Sequence, residues 1–183
     1  TLNNESPISI HLLQGVARGD KMDFIIQKAV ELGVSEITPL FTERCNVRLD
    51  KKRLTKKMQH WHKVIISACE QSGRAKIPLL NPALNIDNLA SLASLDELGN
   101  SELPNDATSI VLEPTASKTI SALKVNKKIN LLIGPEGGFS ENDLAKTKSL
   151  AIQTVRMGLR ILRTETAGLS AIAILQSQFG DWN

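Results

Sequence analysis

Aromatic residues are scarce in this chain of 183 residues: it has no tyrosine, four phenylalanines and two tryptophans, together 3% of the sequence. Proteins that hold single-stranded nucleic acid by base stacking need exposed aromatic rings, so we do not expect that mode of binding from this chain alone. Cysteine is also scarce. Cys45 and Cys69 cannot form the disulfide framework of a small secreted domain, which favours a reducing, cytoplasmic location.

Long apolar runs are absent as well. No stretch approaches the roughly 20 apolar residues that a membrane-spanning helix needs. The first ten residues, TLNNESPISI, lack the basic start and apolar core of a signal peptide. Hydrophobic residues make up 42% of the chain and charged residues 22%, which is typical of a globular domain. We therefore expect one domain with a substantial core and no membrane partner.

Positive charge is missing from residues 77–117, which contain no lysine or arginine. The preceding window, residues 44–76, holds ten basic residues and only two acidic ones, although the net charge of the whole chain is +3. Such an uneven distribution favours an anionic partner on one face, most often a nucleic acid. A solvated helix face also explains a run of lysines, and the composition leaves both explanations open.

Strands and helices alternate along the chain. The apolar pattern predicts strands at residues 8–14, 36–41, 77–80, 108–114, 129–134 and 152–157. It predicts helices at residues 20–33, 50–72, 87–95, from 140 onward and 165–178, with an acidic surface loop at 96–106. This alternation is typical of an α/β domain with a mostly parallel sheet and helices on both faces.

The predicted helices begin at residues that usually cap them. Asp20 and Asp50 are predicted N-caps, Ser140 with Asp143 forms a predicted capping box, and Thr164 is predicted to cap the last helix. The first helix should bury an apolar face made of Phe24, Ile25, Ala29 and Leu32. The second should bury Leu54, Met58, Trp61, Ile65 and Ala68.

Two loops follow strands and precede helices late in the chain. The first lies in IGPEGGFSENDL, residues 133–144, and brings three glycines between a buried strand and a helix start. It is a poor phosphate cradle because Glu136 would repel an anion and Pro135 lacks an N–H donor. The second lies in RMGLRILRTETAGLS, residues 156–170, and carries aliphatic residues that need a ligand or a covering chain. Together the loops suit a neutral heterocycle such as adenine, whereas either alone is explained by a structural turn.

Four motifs resemble one known family. LLIGPEGGFSENDLA (131–145) and MGLRILRTETA (157–167) are similar to the cofactor-binding signature of SPOUT-class methyltransferases. GDKMDFIIQKAVELGVSEITPLFTERC (19–45) and KVIISACEQSGRAKIP (63–78) resemble the RsmE family within that class, the bacterial 16S ribosomal RNA uridine-N3 methyltransferases. The resemblance covers residues from about 8 to about 177, and the order of the four motifs makes it specific.

The resemblance implies a particular architecture and set of partners. Family members have a C-terminal deep trefoil knot that holds S-adenosylmethionine, pair as homodimers through the knot region, and use no metal. They carry an N-terminal PUA-like RNA-binding domain, of which residues 1–15 are expected to be the exit segment. Residues 16–183 are then the SPOUT methyltransferase domain. The implied substrate is 16S ribosomal RNA or the small ribosomal subunit.

The resemblance also implies a set of cofactor-binding residues in and beside the two loops. The first loop and a neighbouring strand end contribute Leu112, Gly134, Glu136 and Gly138. The second loop and the start of the last helix contribute Met157, Leu159, Ile161, Leu162, Thr166 and Ala167. Core packing is the alternative role for the three aliphatic residues of the second loop.

Methylation of uridine at N3 requires that its N3 proton be removed or that charge on the flanking carbonyl oxygens be stabilised. Arg163 is the candidate for stabilising that charge, and Glu165 is the candidate base, although Glu165 also suits the first turn of a helix. A metal is not needed, because the sulfonium already activates the methyl group, and the three histidines do not form a metal-binding pattern.

The basic window supplies the predicted RNA contacts. Phosphate contacts are expected from Arg44, Lys51, Lys52, Lys56 and Lys76, and such contacts position RNA without reading its sequence. The segment EQSGR is expected to face the substrate, which adds Glu70, Gln71, Ser72 and Arg74. A simple helix C-terminus is the alternative explanation of that segment.

Three other functions compete with this one. The chain could be a non-catalytic RNA-binding or ribosome-assembly protein that uses only its basic helix. It could be a different SPOUT enzyme that methylates a ribose oxygen or a base of transfer RNA. It could also be an ATP- or phosphate-binding enzyme built on the glycine-rich loop. Binding of S-adenosylhomocysteine or ATP, and the position of any RNA methyl group, distinguish these functions.

Overall fold

The computed structural model describes residues 4–92 and 107–182, which form one parallel sheet with helices on both faces. The seven strands are β1 Ser9–Gly15, β2 Glu36–Phe41, β3 Leu79–Leu80, β4 Leu84–Asn85, β5 Ala107–Leu112, β6 Lys128–Ile133 and β7 Gln153–Val155. Four α-helices connect them: α1 Lys21–Glu31, α2 Lys51–Ser72, α3 Glu141–Ser149 and α4 Thr164–Phe179. Two 3₁₀ helices, Ile86–Leu92 and Ile120–Ala122, complete the described elements.

Every strand pairing in the described residues is parallel. The strand order is β3-β2-β1-β6-β5-β7, and β4 pairs with the far end of β2. β1 lies near the middle, between β2 and β6. Residues 9–15 therefore belong to the same sheet as the rest of the chain, so the domain boundary that we drew after residue 15 does not coincide with a structural break.

Apolar side chains project from both faces of the sheet and are buried on both. This is typical of parallel strands that helices cover on each side. On one face, Ile10 and Leu12 of β1 pack beneath α1, α2 and α4. On the other face, Leu13 and Leu132 pack against the 3₁₀ helix Ile86–Leu92 and the region of α3. The predicted α/β class with helices on both faces is confirmed, and the deep trefoil knot stays a prediction.

Two helix starts follow the sequence rules and one does not. Asp50 accepts a hydrogen bond from the Arg53 N–H at the start of α2, and Ser140 with Asp143 forms the capping box of α3. Asp20 stands at the N-cap of α1, but its side chain accepts no capping hydrogen bond. Its backbone is helical, with φ −77° and ψ −6°, instead of the extended conformation that aims a capping side chain at the free N–H groups.

The buried face of α1 also differs from the prediction. Phe24 is 47% exposed and points away from the core. The buried residues of this helix are Met22, Ile25, Ile26, Ala29 and Val30. α1 packs against both α2 and α4, and this second contact extends its buried stripe toward Met22, Ile26 and Val30 while leaving Phe24 outside it.

The remaining elements follow the predictions with small shifts of their ends. The predicted weak helix at 87–95 is a 3₁₀ helix, Ile86–Leu92, and its last predicted residues lie outside the described part of the chain, as does the loop at 96–106. α2 ends at Gly73, whose backbone has the left-handed conformation that is common at helix C-termini. Within the described residues, no helix combines the length and apolarity that crossing a bilayer requires.

Candidate active site

A cavity of about 560 Å³ lies at the carboxyl edge of the sheet, where β5, β6 and β7 end. In open parallel sheets this edge is the usual place for ligands, and the volume suits a drug-sized or cofactor-sized molecule. The loop that follows β6 forms one wall and the loop between β7 and α4 forms another. Leu112, at the end of β5, lies between them.

Steric constraints explain why glycine occupies two positions of the first loop. A Cβ atom on Gly137 would lie 3.0 Å from the carbonyl oxygen of Arg44, so only glycine lets these two backbones pass so closely. Gly138 has a φ of +67°, which L side chains rarely adopt. Its N–H donates to the Pro135 carbonyl at 2.8 Å and closes the turn. This tight turn therefore places backbone atoms at the wall of the cavity.

Thr164 joins the two loops instead of capping α4. Its hydroxyl donates to the carbonyl of Gly134 at 2.5 Å and accepts from the side-chain amide of Gln14 at 2.9 Å. Arg163 occupies the N-cap position and makes no side-chain capping bond. Our prediction for Thr164 was wrong because its hydroxyl, which is buried, bonds to the neighbouring loop and to β1.

Glu136 is held in place by the start of α1. Its carboxylate accepts the N–H of Arg18 at 3.0 Å and lies 3.6 Å from the ammonium of Lys21. Burial by itself would raise the pKa of Glu136, but hydrogen bonds from the backbone and the Lys21 charge outweigh it, and the pKa lies below its usual value. The carboxylate is therefore charged at neutral pH, and it anchors the glycine-rich loop to the β1–α1 connection.

Positive charge surrounds the mouth of the cavity. Arg44, Arg156, Arg160 and Arg163 all line it, together with Lys21. The Nε atom of Arg156 is buried and has no hydrogen-bond partner among the described residues. A ligand acceptor within the cavity could satisfy that donor, which is the kind of orphaned polar group that a binding site leaves open.

Most of the predicted cofactor-binding residues line this cavity. They are Leu112, Gly134, Glu136, Gly138, Met157, Ile161, Leu162 and Ala167. Leu159 does not: it is 87% exposed and projects from the loop into solvent. Thr166 is also outside, exposed on the first turn of α4. The two residues lie outside the lining because consecutive residues of a loop or helix point in different directions, which a motif does not specify, and their contact with the cofactor stays a prediction.

The two predicted catalytic residues are placed differently. Arg163 lines the cavity, as a residue that contacts substrate must. Glu165 does not line it, and its Oε2 atom lies 3.8 Å from the ammonium of Lys21, which does. A general base must reach the proton that it removes. The geometry therefore favours an electrostatic role for Glu165 over proton transfer.

The predicted RNA contacts fall into two groups. Lys51, Lys52 and Lys56 are exposed on α2, and Glu70, Gln71 and Lys76 are exposed at or beyond its end. Arg44 lies at the cavity, with its guanidinium 3.5 Å from the Gly137 carbonyl. These positions are compatible with contacts to a large anionic partner, and the contacts themselves stay predictions.

Arg74 and Ser72 correct the prediction that the whole EQSGR segment faces the substrate. The Arg74 guanidinium donates to the carbonyls of Val30 and Val34 at 3.0 and 2.7 Å and pairs with Glu5 at 2.5 Å. Its side chain is only 7% exposed. The Ser72 hydroxyl donates to the Ala68 carbonyl within its own helix. The buried Arg74 side chain is therefore not available to a substrate, and the Ser72 hydroxyl uses its proton within its own helix.

Three residues at the site were missed by the sequence analysis. Lys21 and Arg156 line the cavity, and Gln14 holds Thr164 from the end of β1. Lys21 lies near the start of the longest matching segment, residues 19–45, but neither its spacing nor its neighbours distinguish it from a surface lysine. Among the described residues, no group of three or more histidine, cysteine, aspartate or glutamate side chains could hold a metal ion.

Comparison with known proteins gives a consistent result. The sequence model of the RNA methyltransferase domain family matches residues 4–176. The chain is 42% identical to the ribosomal RNA small subunit methyltransferase E of Buchnera aphidicola subsp. Schizaphis graminum, over 98% of this chain and 69% of that protein. It is 33% identical to the Bacillus subtilis protein of the same name, over 96% of this chain and 68% of that protein.

The fold agrees with these sequence matches. It superposes with a TM-score of 0.86 on the crystal structure of a ribosomal RNA small subunit methyltransferase E from Neisseria gonorrhoeae bound to S-adenosyl methionine. The two sequences are 38% identical, and the match covers 100% of this chain and 71% of the other.

Proposed function

Because this chain belongs to the ribosomal RNA small subunit methyltransferase E family, we propose that it methylates N3 of a uridine in 16S ribosomal RNA with S-adenosylmethionine as the methyl donor. The observation that carries this proposal is the cavity of about 560 Å³ between the glycine-rich loop and the loop that precedes α4. Both loops occur in the motifs that first indicated the family.

The residues of the cavity suit S-adenosylmethionine. Leu112, Met157 and Leu162 offer apolar surface for an adenine ring, and the tight glycine-rich backbone leaves room for a ligand beside it. The unpaired Nε of Arg156 can donate to a polar atom of the cofactor. When bound, the cofactor supplies a methyl group that its sulfonium already activates, so the chain itself must bind, orient and stabilise charge.

Arg163 is the residue that we assign to the reacting base. It follows the second loop, lines the cavity and immediately precedes α4. As uridine N3 loses its proton, negative charge spreads onto the two flanking carbonyl oxygens. A guanidinium at the cavity wall can stabilise such charge, because it brings a positive charge and hydrogen-bond donors to the place where the charge develops.

The exposed surface supports further parts of the proposal. Leu159 and Ile161 are 87% and 83% exposed beside the cavity, and aliphatic side chains so exposed are commonly covered by another chain. We assign this surface to a homodimer contact, in line with the knot-region dimer of the family.

Lys51, Lys52 and Lys56 on α2 are assigned to RNA phosphates. Cys45 and Cys69 are unpaired thiols, which suits a cytoplasmic enzyme.

Reverse transcription of ribosomal RNA tests the proposed function. A methyl group on N3 blocks the Watson–Crick edge, so RNA from wild-type cells should stop the polymerase at one uridine of 16S RNA, and RNA from cells that lack the gene should not. Purified protein with S-adenosylmethionine should restore the stop. A stop elsewhere, or a new ribose methyl group, would indicate a different SPOUT reaction, and no methylation would favour an RNA-binding protein.

Arg163→Ala should separate chemistry from cofactor binding. Loss of the guanidinium removes charge stabilisation at the base, so turnover should fall by about a hundredfold or more. Calorimetric affinity for S-adenosylhomocysteine should stay within about threefold, since apolar and backbone groups hold the cofactor. Normal turnover in this variant would show that Arg163 has another role. Tight ATP binding without binding of S-adenosylhomocysteine would overturn the proposed function itself.

A further inference from the structure

Lys21 occupies a position that helix formation alone does not explain. It is the first residue of α1, where the helix dipole disfavours a cation, and Asp20 before it makes no capping bond that would compensate. Two carboxylates from distant parts of the chain lie beside it instead. Glu136 of the glycine-rich loop is 3.6 Å from its ammonium, and Glu165 of α4 is 3.8 Å away.

The ammonium of Lys21 lies within 4 Å of both carboxylates at the edge of the cavity. Lys21 lines the cavity wall, whereas Glu165 does not. The Oε2 atom of Glu165 is shielded from solvent and has no hydrogen-bond partner among the described residues, so the nearby charge of Lys21 is its electrostatic partner. Both carboxylate distances exceed the length of a strong hydrogen bond, which leaves N–H groups of Lys21 able to donate to a ligand.

Deprotonated uridine has two carbonyl oxygens that a cationic hydrogen-bond donor can stabilise. When N3 loses its proton on the way to methyl transfer, negative charge is shared between two carbonyl oxygens, O2 and O4, one on each side of N3. Arg163 is one cation on the cavity wall, and Lys21 is a second, on a different element. Two cations from different elements can each serve one oxygen, whereas a single guanidinium cannot lie on both sides of the ring.

We infer that Lys21 is a catalytic residue that donates to one uracil carbonyl oxygen in the transition state, and that Glu136 and Glu165 hold its ammonium in place. The inference rests on the proposed function. In the reaction, the N3 proton passes to water, the N3 electron pair forms the new N–C bond, and the S–C bond breaks with its electrons left on sulfur. Lys21 keeps its protons throughout.

Other charged groups around the cavity bear on the pH dependence of the reaction. Glu136 faces Lys21 from the glycine-rich loop, Glu165 faces it from α4, and the remaining charged residues of the wall are Arg44, Glu113, Arg156, Arg160 and Arg163. We expect the rate at alkaline pH to follow the ionisation of N3 of the uridine.

Lys21→Met tests the inference, because it keeps the length of the side chain and removes its charge. Single-turnover methylation of 16S RNA should be slower than wild type by about a hundredfold at neutral pH. The deficit should shrink as the pH rises from about 7 to about 9.5, since solvent then removes the N3 proton without help. Affinity for S-adenosylhomocysteine should change by less than about threefold, because Glu136 keeps its bond from Arg18.

Three further variants make the test specific. Lys21→Arg should recover most of the rate, because it retains a cationic donor. Glu165→Gln should lower the rate less than Lys21→Met and should add little to it in the double variant, because it acts through Lys21. Lys28→Met is the matched control: it removes another lysine of α1 that pairs with Glu31 at 2.8 Å, away from the cavity, and should leave the rate unchanged.

A deficit of Lys21→Met that stays constant across pH would overturn the inference, because a merely structural loss does not follow N3 ionisation. So would an unchanged rate, or additive effects of Lys21→Met and Glu165→Gln. Failure of wild-type protein to methylate N3 would instead overturn the proposed function, so the two failures are distinguishable.

Discussion

At the scale of single residues, Arg74 has a different role in the structure from the one that its sequence context predicts. In the sequence it belongs to a basic window and a motif that resembles a substrate-facing segment. In the structure its guanidinium serves the carbonyls of Val30 and Val34 near the end of α1 and pairs with Glu5. The last carbonyls of a helix lack partners within the helix, and an arginine from elsewhere can satisfy them.

Glu5 provides a test of this arrangement at the residue scale. Burial by itself would raise the pKa of its carboxyl, but hydrogen bonds from Arg74 and from the Lys76 amide outweigh it, so its pKa is lower in the folded protein. The stabilisation that Glu5 provides is therefore complete above its usual pKa of 4.5 and is lost as the pH falls through the lowered value.

Replacement of Glu5 by glutamine should lower the free energy of unfolding by about 1–3 kcal/mol at pH 7. The difference from wild type should narrow between about pH 5.5 and about pH 3. Urea unfolding followed by the fluorescence of buried Trp61 measures both quantities. Glu31→Gln, which breaks a surface pair with Lys28, is the control and should change stability by less than about 0.5 kcal/mol. A pH-independent difference for Glu5→Gln would contradict the arrangement.

At the scale of elements, α4 depends on a hydrogen bond that is not part of any helix. Thr164 is the first residue of α4, and its hydroxyl connects Gly134 after β6 with Gln14 of β1. Three elements therefore meet at one buried hydroxyl, between the two loops that form the cavity. The loops should keep their spacing only while this bond is intact.

Thr164→Val tests that role because it preserves shape and removes the hydroxyl. It leaves the Gly134 carbonyl and the Gln14 amide without this partner, so stability should fall by about 1–3 kcal/mol. Affinity for S-adenosylhomocysteine, measured by calorimetry, should fall as well, because the cavity walls are no longer joined.

Thr55→Val is the matched control, since it removes an exposed threonine hydroxyl that bonds to the Lys51 carbonyl on α2. It should change stability by less than about 0.5 kcal/mol and should leave cofactor affinity unchanged. Equal effects of the two substitutions would mean that the position of Thr164 has no special importance.

At the scale of the whole molecule, positive charge is divided between α2 and the cavity. Lys51, Lys52 and Lys56 are exposed on α2, whereas the cavity carries four arginines and Lys21. The first group can contact phosphates without regard to sequence, and the second lines the cavity that we assign to the reacting base. We therefore expect RNA affinity and turnover to respond to different substitutions.

Replacing Lys51, Lys52 and Lys56 together by glutamine should weaken RNA binding and make it less dependent on salt. Each lost phosphate contact should reduce the slope of log K against log salt by about 0.7–0.9. Turnover at saturating RNA should change little. Filter binding across a salt series measures the slope.

Lys124, Lys127 and Lys148 are exposed elsewhere on the molecule, so their replacement by glutamine removes the same charge as a control. If both triple variants lose equal affinity, net charge and not the α2 surface governs binding.

The sequence was sufficient for the sheet class, the family and the approximate site. Apolar periodicity reveals strands that are buried on both faces, and parallel strands bring their carboxyl ends to one edge, so the loops at 134–140 and 156–163 had to approach each other. The four motifs identified the family, and the matches to known proteins confirm it. These features follow from patterns within short stretches of the sequence, so they can be recognised without the structure.

Only the tertiary structure decided which side chains serve the site. It turned Leu159 and Thr166 outward, and it brought Lys21 between Glu136 and Glu165. Arg18 and Glu136 are 118 positions apart, yet they share a hydrogen bond. A side chain in a loop or at a helix end takes the direction that its distant neighbours allow, and those neighbours are determined by the packing of the whole sheet. Local sequence patterns do not specify that packing. The positions of the loops were therefore predictable, whereas the roles of their individual residues were not.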